Sequence, residues 1–331
     1  MDRVVIWGTG KTHSLLKKYI EELEVSGKIE IVCYVNKTGS GEIGRHPILA
    51  AEKLNELAYD IILVCADTEK AASIYDDIER LGISKDRVKS CLEYIKKKSS
   101  LGDEYEETVE RQCKVLLRIM AASEEELSSY EWMLTLVGEY GVYPFKEIND
   151  DRIRGTIFGL LQTPDEFARY CNYLSGREVH KAIEIGVFKG RSSYFMAAVL
   201  SRRNPDLEYY CVDIFDNMDS FERYNAIVPC LKKYIPATSK DFRGQSFDFV
   251  FIDGDHSYDG SFADYVNVGR FAKNITVFHD IYEHGYDALN GGIVRTWNEV
   301  VTDTSGHEHQ VFSTYPDVWM GIGVVEWKRT T

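Results

Sequence analysis

The chain has 331 residues, which at roughly 150 residues per domain suggests two domains and a core that needs no disulfide or metal staple. Hydrophobic residues make up 44% and charged residues 28%, a globular composition that excludes a largely disordered chain. The net charge of −14 repels phosphate backbones and anionic lipid, so neither nucleic acid nor a membrane surface is expected as the main partner.

Arg3-Val-Val-Ile-Trp7 enters a strand at once, without a signal-peptide layout. No apolar run approaches the roughly 18 residues of a membrane span, and the expected location is cytoplasmic. Gly8-Thr9-Gly10 reads as a turn, and Lys11 to about Leu23 has helical spacing, with Leu15, Leu16, Tyr19 and Ile20 on one side. Ile29 to Val35 and Asp60 to Cys65 read as strands, and Thr68 to Leu81 as a helix ended by Gly82. Strand, glycine turn, helix, strand begins a parallel α/β sheet. The seven cysteines lack CxxC spacing and read as buried thiols of a reducing compartment.

Residues 96–165 read as a helical connector, with Glu- and Leu-rich helical patterns over 104–122 and 123–140. Thr163-Pro164-Asp165-Glu166 is a helix start with proline at the first helical position. A second α/β pattern follows, with strands expected at 181–185, 208–213, 247–252 and 274–278 and helices at 191–201, 260–271 and 291–301. At its end, Gln310 to Ser313 and Gly321 to Glu326 flank a Tyr315-Pro316-Asp317 turn, a β-hairpin closing an otherwise parallel sheet. The expected domains are therefore 1–95, 96–165 and 166–331, the last two-part boundary falling at the helix start.

Three stretches carry chemistry. Glu184-Ile-Gly186-Val-Phe-Lys-Gly190-Arg-Ser192-Ser193 joins a strand to a helix. The glycines allow a sharp turn and close approach of a ligand, and the second opens a helix whose N–H groups face it. The spacing is not that of the dinucleotide fingerprint, and an acid before the first glycine suits the ammonium of an amino-acid moiety better than a pyrophosphate. Tyr209-Tyr-Cys-Val-Asp213 is a second strand ending in an acid, placed to accept hydrogen bonds from both ribose hydroxyls. Phe247-Asp-Phe-Val-Phe-Ile-Asp253-Gly-Asp255-His256-Ser-Tyr258 and Thr276-Val-Phe-His279-Asp280 each deliver acids and a histidine to a strand's carboxyl end.

The glycine loop and the acid-ended second strand together resemble class I S-adenosylmethionine-dependent methyltransferases. The run Asp-Gly-Asp-His-Ser-Tyr, then His-Asp, then the helix from Gly291 to Trp297 resembles the subgroup of macrolide-sugar O-methyltransferases and cephalosporin-hydroxylase-type proteins. The resemblance covers about 170–330 and implies a Rossmann-like methyltransferase sheet. By that resemblance Glu184, Gly186, Gly190, Ser192, Asp213 and Asp253 bind S-adenosyl-L-methionine. Metal-dependent members place an acid at the fourth strand, a histidine three residues on, and an acidic pair at the fifth. Asp253, His256 and Asp280 match, and His279 replaces the first acid of the pair. A divalent cation, Mg²⁺ or another, is accordingly assigned to Asp253, His279 and Asp280, and His256 is the candidate general base.

The N-terminal segment resembles the small Rossmann-like domains of sugar-modifying enzymes, such as that of bacterial sugar acetyltransferases. The implied function is an O-methyltransferase acting on a small-molecule hydroxyl, a sugar or glycoside, with self-association into a homo-oligomer left open. Two other readings stand beside it. One is a nicotinamide-dependent enzyme using Gly8-Thr9-Gly10, which has Asn36 where the ribose acid would be wanted. The other is a non-catalytic protein of methyltransferase-like fold.

Overall fold

A computed structural model describes residues 1–66, 68–141, 158–282, 290–302, 306–314 and 320–328. It divides into two compact units, Met1–Thr108 and Val109–Thr331. The division falls within the helix Leu101–Ala121. The Tyr315-Pro316-Asp317 turn expected from sequence lies outside the described residues.

The first unit is built on β1 (Asp2–Trp7), β2 (Ile29–Val35), β3 (Glu42–Ile43), β4 (His46–Leu49), β5 (Ile61–Val64) and β6 (Val88–Ser90), in the sheet order β3-β4-β2-β1-β5-β6. All its neighbours run parallel except the short β3–β4 pair. Its central strands are continuous runs of Val, Ile and Cys because both faces of a parallel sheet are covered; Val4, Val5, Ile6, Cys33, Ile62 and Leu63 are fully buried. At the first turn Gly8 takes φ +114°, and a Cβ there would stand 2.3 Å from the Cys65 carbonyl oxygen. Asn36 is spent on its own turn, its Oδ1 accepting from the Thr38 and Gly39 amides while its Nδ2 donates to Thr9 Oγ1.

The second unit carries seven strands. These are β7 (Lys181–Ile185), β8 (Glu208–Val212), β9 (Leu231–Tyr234), β10 (Phe249–Ile252), β11 (Ile275–His279), β12 (His307–Phe312) and β13 (Ile322–Trp327), in the order β12-β13-β11-β10-β7-β8-β9. Only β13 runs against its neighbours, pairing antiparallel with both β11 and β12. The sheet is thus a Rossmann-like mixed α/β sheet, open rather than closed into a barrel, with a hairpin along one edge. Phe249-Val-Phe-Ile252 is buried along its whole length between β7 and β11, as a central strand with no solvent face must be.

The helix Pro164–Ser175 begins at the proline expected there. Its buried Glu166 accepts from the Thr314 hydroxyl (2.8 Å) and the Gly321 amide (3.2 Å), which ties together the inner ends of β12 and β13. Among the described residues, no helix is long and apolar enough to cross a membrane.

The chain order determines where a ligand can enter. From β7 the chain moves outward to β8 and β9, then crosses back to β10 on the other side of β7. The helices after β7 and β10 therefore leave on different sides, and a crevice opens at the carboxyl ends of these two strands.

Candidate active site

Two strand ends almost touch at this crevice. Gly186 follows β7 with φ +89°, and a Cβ on it would stand 2.2 Å from the Asp253 carbonyl oxygen and 2.4 Å from the Gly254 Cα. No side chain fits between these two backbones. Gly190, in the left-handed region at φ +74°, caps the helix Arg191–Arg203. Between them Phe188 also has a positive φ, 45°, a conformation that costs a residue with a side chain free energy. Asp213 holds it there: Oδ2 accepts from the Phe188 amide at 2.9 Å, and Oδ1 from the Phe215 amide at 3.0 Å. The half-buried carboxylate at the end of β8 thus pins the glycine loop and keeps further lone-pair sites on each oxygen.

Glu184 sits one pleat below the loop and is fully buried. Ser192 donates to its Oε1 at 2.8 Å and Tyr209, also fully buried, to its Oε2 at 2.7 Å. Burial pushes the carboxyl up to about 7 against the pull of those hydroxyls. Ser192 itself is half-buried.

At the ends of β10 and β11, two acids and two imidazoles alternate in a ring. His279 Nδ1 lies 3.1 Å from Asp253 Oδ1 and 3.3 Å from Asp280 Oδ1. His256 Nε2 lies 3.5 Å from Asp253 Oδ1, and its Nδ1 3.5 Å from Asp280 Oδ2. Asp280 takes φ +58°, the turn that brings its carboxylate back over the strand end. Burial disfavours a charged His279, but the carboxylates of Asp253 and Asp280 outweigh it and lift the imidazole to about 10. His256, where burial again works against the charge, is held above its ordinary value by the same two acids. Burial raises Asp253, and the charges and hydrogen bonds of His279 and His256 together more than reverse that.

The ligand atoms of Asp253, His256 and Asp280 all lie within 4.8 Å of one another, and these three are the group among the described residues that could hold a metal ion. Two oxygens and a nitrogen fit Mn²⁺, Fe²⁺ or Zn²⁺ better than Mg²⁺, which keeps to oxygen. His279, assigned to the metal from sequence, stands behind this set, with its Nε2 buried and unpartnered. Its charge already offsets part of that of the two acids.

Four contributors carried no readable signal in the sequence. Tyr209 reads as one more apolar residue of a buried strand, and nothing in the pattern shows that its hydroxyl meets Glu184. Arg191 and Lys189 bracket Gly190 and share one acid: Arg191 Nη2 meets Asp219 Oδ1 at 2.6 Å and Lys189 Nζ meets Asp219 Oδ2 at 3.3 Å. Asp219 lies in a loop, where no periodicity marks it. The contact joins the segment after β8 to the glycine loop a second time, beside the Asp213 link.

Residues 183–281 match the family described as a methyltransferase domain. Residues 1–89 match the family described as C2185-like, N-terminal. No curated protein matches the chain significantly. Among solved structures, the chain is similar to the O-methyltransferase TomG from Streptomyces achromogenes, involved in tomaymycin synthesis and bound to S-adenosylmethionine. That pair has 15% identity and a TM-score of 0.40, covering 51% of this chain and 82% of that one. An O-methyltransferase from Bacillus cereus in complex with S-adenosylhomocysteine is similar at 14% identity and a TM-score of 0.41, covering 62% and 92%. An S-adenosylhomocysteine-bound methyltransferase from Podospora anserina is similar at 15% identity and a TM-score of 0.40, covering 51% and 80%. The matched residues 183–281 run from β7 to just past β11, the stretch that builds the crevice.

Proposed function

We propose that the protein is an S-adenosylmethionine-dependent O-methyltransferase acting on a small-molecule hydroxyl. The observation that carries this reading is the convergence at one crevice of the Gly186–Gly190 loop, the Asp213 carboxylate and the Asp253–His256–Asp280 group. The bound S-adenosylmethionine supplies a methyl group on a sulfonium. Asp213 accepts from its ribose hydroxyls, and the loop from Gly186 to Ser192 holds its methionine part. His256, partly exposed, takes the proton of the acceptor hydroxyl as that oxygen attacks the methyl carbon and the carbon–sulfur bond breaks, leaving S-adenosylhomocysteine. Asp253 and Asp280 keep the imidazole turned towards the acceptor. If Asp253, His256 and Asp280 instead held a divalent ion, His256 would be its ligand and the ion would lower the pKa of the hydroxyl in place of a base. Alignment of the two reactants supplies much of the remaining acceleration. A sugar or glycoside is the acceptor class we favour, on the resemblance carried by Asp253-Gly-Asp255-His256-Ser-Tyr258.

Asp213→Ala tests the cofactor half of this reading. Hydrogen bonds to a charged acceptor are worth about 1.5–3 kcal/mol, a weakening of about 10- to 150-fold. The alanine also frees Phe188, so Asp213→Asn, which retains a side-chain acceptor, should lose less. Titration calorimetry with S-adenosylhomocysteine measures both, and unchanged affinity in the alanine variant would remove Asp213 from the site.

A further inference from the structure

We infer that Glu184 does not touch the ligand but acts through Ser192: Tyr209 and Glu184 together turn the Ser192 hydroxyl so that its lone pairs, not its proton, face the bound ammonium. The inference rests on the reading that the Gly186–Ser192 loop holds the methionine part. Glu184 and Tyr209 are each 0% exposed, so no ligand reaches either. Ser192, half-buried in the first turn of the helix after Gly190, is the one of the three with partial exposure.

The chemistry of the chain of contacts is directional. An ionised carboxylate only accepts. Tyr209 gives its proton to Oε2 and Ser192 gives its own to Oε1, at 2.7 and 2.8 Å. A serine hydroxyl has one proton, and once that is committed to Glu184 the oxygen offers only acceptor sites outward. That surface suits an ammonium and disfavours a carboxylate or phosphate oxygen. When Glu184 gains a proton it can donate to Ser192 instead, the serine proton is released outward, and the preference reverses. Burial pushes this carboxyl up to about 7, so the reversal falls near neutral pH. The groups that bear on Glu184 are Tyr209 and Cys211 from β8, Ser192 and Ser193 from the helix, Tyr170 from the helix Pro164–Ser175 and Asp253 beyond β10. Among them Asp253 raises it and the three hydroxyls of Tyr209, Ser193 and Ser192 lower it. Glu184 and Tyr209 are therefore positioning residues.

Calorimetric titration with S-adenosylhomocysteine, from about pH 5.5 to about pH 8.5, tests this on the full chain. The parent should lose affinity as pH falls through about 7. Tyr209→Phe removes a donor that favours the ionised acid, so its loss of affinity should set in at higher pH. Ser192→Ala should bind about 10-fold more weakly at high pH and show a flat profile, and Ser192→Thr should restore the slope. If Ser192→Ala keeps the parent's slope, the ligand meets Glu184 directly and the inference fails. A uniform weakening of Tyr209→Phe at every pH would likewise reduce Tyr209 to packing and overturn it. A parent that binds no S-adenosylhomocysteine at any pH would instead remove the reading underneath, and the inference with it.

Discussion

His256→Ala is expected to lower the rate of methyl transfer by about 100- to 10,000-fold, the usual cost of losing a general base, while S-adenosylmethionine binds as tightly as before. The side chain is 30% exposed, and the backbone bond it shares with the rest of the unit, from the Ile293 amide to the His256 carbonyl at 3.0 Å, survives the substitution. The variant should fold. The parent's pH profile carries a second signature. Asp253 and Asp280 hold His256 above 6.5 in spite of its burial, and a base works only when neutral. The rate should therefore rise with pH through a midpoint above 6.5 and then level off. Asp253→Asn removes one of the raising charges and should move that midpoint down. Excess chelator separates the base from a ligand role: turnover within about twofold of the untreated enzyme keeps His256 as the base. Turnover that stops with chelator and returns with Mn²⁺ would make His256 a ligand alongside Asp253 and Asp280. Full activity of His256→Ala would leave alignment alone to explain the reaction.

Gly186→Ala is expected to cost the second unit several kcal/mol and to abolish cofactor binding. The new Cβ would meet the Asp253 carbonyl oxygen at 2.2 Å and the Gly254 Cα at 2.4 Å, both backbone atoms, so no rotamer change relieves it. A left-handed or similarly strained backbone adds about 1–3 kcal/mol. At about 2–4 °C per kcal/mol for a unit of this size, the melting temperature should fall by roughly 10 °C. Gly190→Ala is the graded comparison, because there the nearest atom is the end of a flexible side chain, Met218 Cε at 2.5 Å. Gly10→Ala is the control, since nothing lies within 4 Å of its Cβ position and its effect should stay within about 0.5 kcal/mol. Thermal unfolding followed by circular dichroism ranks the three, and a Gly186→Ala protein as stable as the control would show that β7 and β10 do not approach as described.

The strands of the second unit were legible because a parallel sheet buried on both faces writes largely apolar runs. Phe249-Val-Phe-Ile252 and Ile275-Thr-Val-Phe-His279 are such runs. β9 was not legible, because Leu231-Lys-Lys-Tyr234 is an edge strand with two lysines in four residues. The pattern over 123–140 reads as one helix but is two, Glu124–Ser128 and Tyr130–Tyr140. Ser129 between them has an extended backbone and accepts from the Trp132 amide. A serine inside an amphipathic stretch carries no mark that distinguishes a cap from an interior position. In the crevice, glycines and strand-end acids declare themselves by type and place. What side chains do to one another does not: that Glu184 is sealed under two hydroxyls, and that His279 sits behind the acids while His256 joins them, depends on contacts between residues 8 to 26 positions apart.

The central claim is that this crevice binds S-adenosylmethionine through the glycine loop and Asp213. Isothermal titration of the full chain with S-adenosylmethionine and with S-adenosylhomocysteine measures it directly. Saturable binding of both at a single site is expected, weakened at least about 10-fold in Asp213→Ala. No binding of either compound by a folded parent, or binding that Asp213→Ala and Gly186→Ala leave intact, would contradict it.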